Sequence, residues 1–314
     1  MRPLTDRLEI ARREAIAKRG RAIWIALGIA GIGWVVALLI MAAGAETAVP
    51  GILAGGFFSI VALLVHLLVG GGAKKAYLAA FKKGVFTEAA SIAVPGISYL
   101  PESMLPEHTF ENGGLFGSRI DRYNGEDCFT GRCGATDLIF SQLHVERKET
   151  TTDSEGRNST KWVTVFKGIY LVADFHKDFS CRVKIVPDVA EANFGWIGRK
   201  LQGVSGDLVR LENPQFESAF KVTATDQQAA RYLLTPDMQE RFLALRGQWN
   251  SAIRAAFLDS FLHLAIPMKE NWFEPNMSVP AGDVAVLETF LSQLMIVLHI
   301  TETLDLNTRI WTKQ

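Results

Sequence analysis

The pattern of apolar and polar positions changes character twice along the chain. From Ala22 to Ala43 it reads AIWIALGIAGIGWVVALLIMAA, twenty-two residues without a charge. At 1.5 Å per residue a helix of that length covers about 33 Å, enough for a hydrocarbon core of about 30 Å. A second uncharged run, Thr47 to Ala73, carries Pro50 near its first turn, where proline is tolerated, and closes on Gly70, Gly71 and Gly72. The pattern predicts two membrane-spanning helices, about 22–43 and 48–72, joined as a hairpin. The first run is too long for the apolar core of a cleaved signal peptide and a second span follows at once, so the hairpin is expected to be retained. Gly51, Gly55 and Ser59 recur every fourth residue, a small-residue stripe that lets another helix approach, with Ala26 and Ala30 as the expected facing surface. The glycine run reads as the membrane exit, and a basic amphipathic segment from Ala73 to Phe86 follows as a juxtamembrane helix.

The run SIAVPGISYLPES, with Pro95, Gly96 and Pro101, reads as a linker or domain edge. It divides an N-terminal membrane part, 1–90, from a domain over 91–314. Period-two alternation then predicts strands around Ser118 to Tyr123, Thr136 to Val145, Trp162 to Phe175 and Arg182 to Val186. The polar tract KETTTDSEGRNSTK, Lys148 to Lys161, has no apolar residue to pack and reads as an exposed loop. The period then lengthens. Thr225 and Gln228 have capping-box spacing, and Thr235-Pro236 opens a helix with Met238, Phe242, Leu245 and Trp249 on one face. AAFLDSFLHLAIP reads as two short strands across Asp259-Ser260, and Gly282-Asp283 opens a last helix with Val284, Leu287, Leu291, Leu294 and Leu298 in register. Strands, helix, strands, helix is the order of an α+β domain with helices packed on an antiparallel sheet.

Charge adds an orientation. Lys and Arg total 33 against 33 Asp and Glu, a formal net charge of zero, so nucleic acid is not an expected partner. Seven basic residues from Arg2 to Arg21 precede the first span and Lys74, Lys75, Lys82 and Lys83 follow the second, while the connection carries only Glu46. Basic residues are retained on the cytoplasmic side, which places both termini and the main domain in the cytoplasm and the hairpin in the plasma (inner) membrane. His66, toward the end of the second run, reads as an interfacial anchor rather than a proton relay.

Candidate chemistry is sparse. In RYNGEDCFTGRCG, Arg122 to Gly134, Asn124-Gly125 has the form of a hairpin turn, and Gly131 and Gly134 suit positive φ. Cys128 and Cys133 lack two further zinc ligands at short spacing, so neither a metal nor a cofactor is expected. Arg122, Glu126 and Asp127 are weak binding candidates; the two acids, adjacent in a strand, would point to opposite faces. Asp174, His176 and Asp178 alternate in ADFHKDF and are the weak catalytic candidates, since two carboxylates and an imidazole on one face can activate a water. A solvated turn explains the same residues.

Several phrases, SRIDRYNGEDCFTG, ATDLIFSQLHVERKE, FKGIYLVADFHKDF, LENPQFESAFKVTATDQQAARYLLTPDMQERF and LDLNTRIW, together resemble the bacterial domain-of-unknown-function family 3137 (DUF3137). The resemblance covers about Phe116 to Trp311 and implies an uncharacterised membrane-anchored protein, with no catalytic residue to carry over. The expected function is a membrane-anchored cytoplasmic binding or scaffolding module, acting on a protein partner or by self-association. The alternative is a membrane-attached hydrolase with a site near Asp174, His176 and Asp178, a reading that gains if Asp174, His176 or Asp178 converges with Glu126 or Arg122 in a deep cleft.

Overall fold

The computed structural model describes residues 2–44, 48–152, 158–175, 179–188 and 206–306. The chain divides into two compact units, Met1–Phe86 with Glu274–Thr289, and Thr87–Phe273 with Phe290–Gln314.

In the first unit, α1 (Arg2–Ala42) is one unbroken helix that begins well before the apolar run. Its basic first third is rich in Arg, Glu and Ala, which favour helix, and Glu9 ties that part down: its carboxylate accepts from Arg12 at 2.8 Å and Arg13 at 2.7 Å and from the Ala281 amide at 2.9 Å. α2 (Ala48–Val65) runs into a π-helical turn, His66–Gly70, then α3 (Gly71–Phe81) and a second π-helical turn, Lys82–Phe86. The expected exit at Gly70 to Gly72 is therefore helical. Glycine costs about 1 kcal/mol against alanine in a helix, which weakens the element without ending it.

The small-residue stripe does pack closely. A Cβ at Gly55 would lie 3.2 Å from the Trp34 ring, and one at Gly51 would meet the Ala37 carbonyl at 2.8 Å. The facing residues are thus Ala37, Met41 and Trp34, not Ala26 and Ala30, because a short connection sets the start of α2 against the end of α1.

In the second unit the strands β1 (Ile97–Leu100), β2 (Arg122–Cys133), β3 (Thr136–Thr152), β4 (Asn158–Asp174), β5 (Val183–Pro187), β6 (Asp207–Val209), β7 (Phe220–Ala224), β8 (Arg254–Leu258) and β9 (Phe261–Pro267) form one sheet. Its order among the described residues is β1-β2-β3-β4-β9-β8-β5-β7-β6, and every pairing is antiparallel. With helices α4 (Thr87–Ala93), α5 (Glu107–Gly113), α6 (Pro214–Ala219), α7 (Gln227–Leu233), α8 (Pro236–Trp249) and α9 (Val284–Thr303), the fold is α+β, as the sequence pattern implies.

Both sheet faces are covered. On one, Leu143, Val145, Phe166, Tyr170, Val172, Ala256 and Ala265 pack with Leu105, Phe110 and Leu115, the last two on and just after α5. On the other, Phe242 of α8 meets Phe257 edge-on at 6.2 Å, and Phe290 of α9 lies 6.3 Å from Phe129. The α8 stripe is as expected, with Met238, Phe242 and Leu245 buried and Thr235 capping the Met238 amide. On α9 the buried stripe is Val286, Phe290, Leu294, Val297 and Leu298, whereas Val284 is exposed. The stripe is therefore rotated from the leucine repeat, because Phe290 docks among Tyr99, Phe129 and Phe273.

Three other stretches differ in local detail from what the sequence pattern suggests. The linker SIAVPGISYLPES holds the end of α4 and the edge strand β1, whose Ile97 to Leu100 pair with Gly131 to Cys128. The tract Lys148 to Lys161 is largely strand: pairing continues to Thr152 and Asn158, because Thr-rich polar residues suit a hairpin arm that needs no core. The cap of α7 is Asp226, which accepts from the Gln228 and Ala229 amides, while the Thr225 hydroxyl accepts from the Arg182 amide.

Candidate functional site

The stretch from Arg122 to Cys133 is strand β2, with no hairpin turn at Asn124-Gly125. Asn124 lies opposite His144 and Gly125 opposite Leu143, in a ladder that runs without a shift from Arg122 to Glu126. Glycine stands at 125 for space: a Cβ there would approach the Leu143 side chain to 2.6 Å, the Gln142 carbonyl to 2.8 Å and Met104 to 2.9 Å. The positive φ expected at Gly131 and Gly134 is present, at 143° and 63°, and a Cβ at Gly131 would collide with the Gly96 carbonyl. The two cysteines are free, Cys128 buried and Cys133 half-buried. Five residues of strand hold them about 16 Å apart, so they are not a shared ligand pair.

A β-bulge between Glu126 and Phe129 puts Asp127 at φ 57°. This overturns the expected opposite facing of the two acids, whose carboxylate oxygens lie within 4.8 Å of each other. Asp127 is fully buried, its carboxylate accepts from the Tyr99 hydroxyl, and its amide donates to the Pro101 carbonyl at 3.1 Å. It is a structural clasp between β1 and β2. Arg122 pairs with Glu146 at 2.9 Å and stacks 3.9 Å above the Trp162 ring, on the hairpin arms.

Asp174 ends β4 opposite Phe261, and His176 and Asp178 lie outside the described residues. Through the β3 register Asp174 stands about 16 Å along the sheet from Glu126 and about 30 Å from Arg122. Asp174 therefore does not meet Glu126 or Arg122, while the reading of His176 and Asp178 falls outside the described residues.

A different set gathers on the sheet face under α5. β5 alternates strictly: Val183 and Ile185 are buried on one side, while Arg182 and Lys184 emerge half-buried on the other. Lys184 lies opposite Ala256 and Thr223, and Ala256 lies opposite His263, so β7, β5, β8 and β9 present these side chains on a common face with Arg254, two residues before Ala256. α5 ends at Gly114, φ 59°, whose amide caps the Glu111 carbonyl at 2.9 Å. A Cβ built on Gly114 would lie 3.2 Å from Nη1 of Arg182 and 3.3 Å from Nζ of Lys184. Both cationic heads thus converge on one point beside the cap. Arg254 donates to the Leu115 carbonyl at 3.2 Å and lies 5.0 Å over the Phe116 ring.

Burial, then the nearby Arg182 charge, lower the Lys184 pKa, and burial lowers that of Arg254. Deeper in the same face, Nδ1 of His263 lies 3.2 Å from the Tyr170 hydroxyl. Burial and then Arg182 pull the His263 pKa down to about 4 against a raising contribution from Asp259, and burial raises that of Tyr170. Sequence reading passed over this group. The signals were present: a lone histidine inside FLHLAIP, and alternating cations in CRVKIV.

The structure therefore defines a class: an α+β domain with a cluster of cations beside the apolar core of one sheet face, in a chain whose N-terminal helices are apolar enough to cross a membrane. Residues 164–306 match the family described as "Protein of unknown function (DUF3137)". No curated protein matches the chain. Among solved structures, the crystal structure of the mycobacterial trehalose monomycolate transport factor A, TtfA, aligns at 10% identity with a TM-score of 0.34, covering 71% of this chain and 93% of that one. A likeness at that level carries no argument about fold or function.

Proposed function

We propose that this is a membrane-anchored protein whose domain after the second apolar helix is a binding or scaffolding module on the cytoplasmic face of the plasma (inner) membrane. One observation carries the anchor. Large apolar side chains stand exposed along both helices, Trp24 at 76%, Leu39 at 68%, Leu53 at 67% and Leu68 at 76% among them. An apolar belt of that extent is stable only in lipid or against a partner, and all backbone polar groups within it are satisfied by helix. Its limits coincide with the basic residues on either side, which supports a two-span hairpin with both ends inside. A binding role is favoured over hydrolysis because Arg122 and Glu126 stand apart from Asp174.

The test is topological. The chain should stay in the membrane through alkaline carbonate extraction. An alkaline phosphatase fused after residue 314 should be inactive, and one placed between residues 44 and 49 active. Extraction into the soluble fraction would refute the anchor, and the inverted reporter pattern would refute the orientation.

A further inference from the structure

We propose that the sheet face under α5 binds a small oxyanion of the phosphate class, held by Arg182 and Lys184 in front of Gly114 with Arg254 and the Thr223 hydroxyl beside them. This deepens the binding-module reading and rests on it.

The argument is one of unmatched charge. Arg182 and Lys184 approach the same point beside Gly114, and they are closer to each other than the sum of their distances to it. Like charges placed so repel unless an anion lies between them. Among the described residues no acidic side chain pairs with Arg182, Lys184 or Arg254, and neither Arg182 nor Lys184 donates a side-chain hydrogen bond. The end of α5 attracts cations through its free carbonyls, but it is a helix of only seven residues and its capping amide is already taken by Glu111.

Surface lysines usually extend into water; this one is drawn half under the α5 loop, beside a second cation, at a desolvation cost. Thr223, directly across the ladder from Lys184, adds a hydroxyl with no partner among the described residues. A guanidinium fork, an ammonium and a hydroxyl around one point match the several acceptor oxygens of a phosphate better than a single carboxylate does.

The experiment uses the full chain in nanodiscs. Inorganic phosphate is titrated in one arm and glycerol 3-phosphate in a second, each read by calorimetry with phosphatidylcholine discs. A third arm repeats the inorganic phosphate titration in discs containing phosphatidic acid. The expected result is one phosphate per chain with a Kd at or below about 1 mM. Lys184→Met and Arg182→Gln should each weaken it about tenfold or more, while Lys221→Met, whose lysine pairs with Asp188 at 2.9 Å on the neighbouring strand, should leave it unchanged. Competition by phosphatidic acid would identify a lipid headgroup as the source, and its absence a soluble phosphate; either supports the site. No saturable binding by about 10 mM phosphate, or binding that survives both substitutions, overturns it. Circular dichroism confirms that each variant is folded, and the two substitutions on separate residues guard against one that is not. Failure here would leave the membrane anchor and its extraction test untouched.

Discussion

Replacing His263 by glutamine should remove a specific part of the acid sensitivity of the fold. The imidazole lies between β4 and α5, only 5% exposed, with Tyr170 as its hydrogen-bond partner. Burial first, and the Arg182 charge second, bring its pKa to about 4 from the ordinary 6.5. The unfolded chain therefore takes up a proton below about pH 6.5 that the folded chain refuses until about pH 4, so this stability is complete above 6.5 and is lost as pH falls through that window. Evaluated between pH 7.5 and 4.5, the loss is about 2.5 kcal/mol. Glutamine can still meet the Tyr170 hydroxyl but does not titrate. Carboxylates protonate in the same range, so the measured quantity is the difference between wild type and His263→Gln in urea unfolding at the two pH values. The reasoning fails if both proteins lose the same stability, or if the imidazole titrates near 6.5 by NMR.

Gly131→Ala should cost at least about 3 kcal/mol, since φ is positive there and the Gly96 carbonyl fills the space a methyl needs, and Gly125→Val about 2–4 kcal/mol through its clash with Leu143; thermal unfolding of either variant at the wild-type temperature would contradict this. Cys128→Ser should cost about 1–2 kcal/mol by putting a hydroxyl in a buried site, whereas Cys133→Ser should be nearly neutral; burial pushes the Cys128 thiol up to about 11, so a thiol reagent at pH 8 should modify Cys133 well before it, and equal rates would refute the placement. Lys82→Met should destabilise the N-terminal unit by about 2 kcal/mol, because Lys82 is buried against Glu274 at 3.0 Å and its removal strands that carboxylate; an unchanged melting temperature in detergent would show the pair to be dispensable.

What the sequence made legible follows from how local each cause is. The long apolar runs, the α8 stripe and the β8–β9 turn, with Asp259 and Ser260 at φ 49° and 65°, depend on neighbours within a few positions, and each was readable. Asn124-Gly125 misled because the same dipeptide that opens a tight turn is also small enough to sit under Leu143 and Met104. Only the register, set by residues some twenty positions away, decides between them.

The cationic face was hidden for a related reason. Arg182 and Lys184 look like the solvent side of an alternating strand, and nothing within β5 says that α5, about seventy residues earlier, will lie over them. Arg254 belongs to a third segment and His263 to a fourth. Their common property, positive charge or its suppression in one half-buried place, exists only after β5 has been inserted between β7 and β8. That insertion is the step in the topology with no local signal, and it is also what brings the unmatched charges together. A strand order that kept β5 beside β4 would have left Arg182 and Lys184 on another neighbour and the α5 cap without cations. The same long-range pairing that defeats a reading of the sequence is therefore the structural cause of the proposed oxyanion site, and the loss of binding in Lys184→Met and Arg182→Gln tests both together.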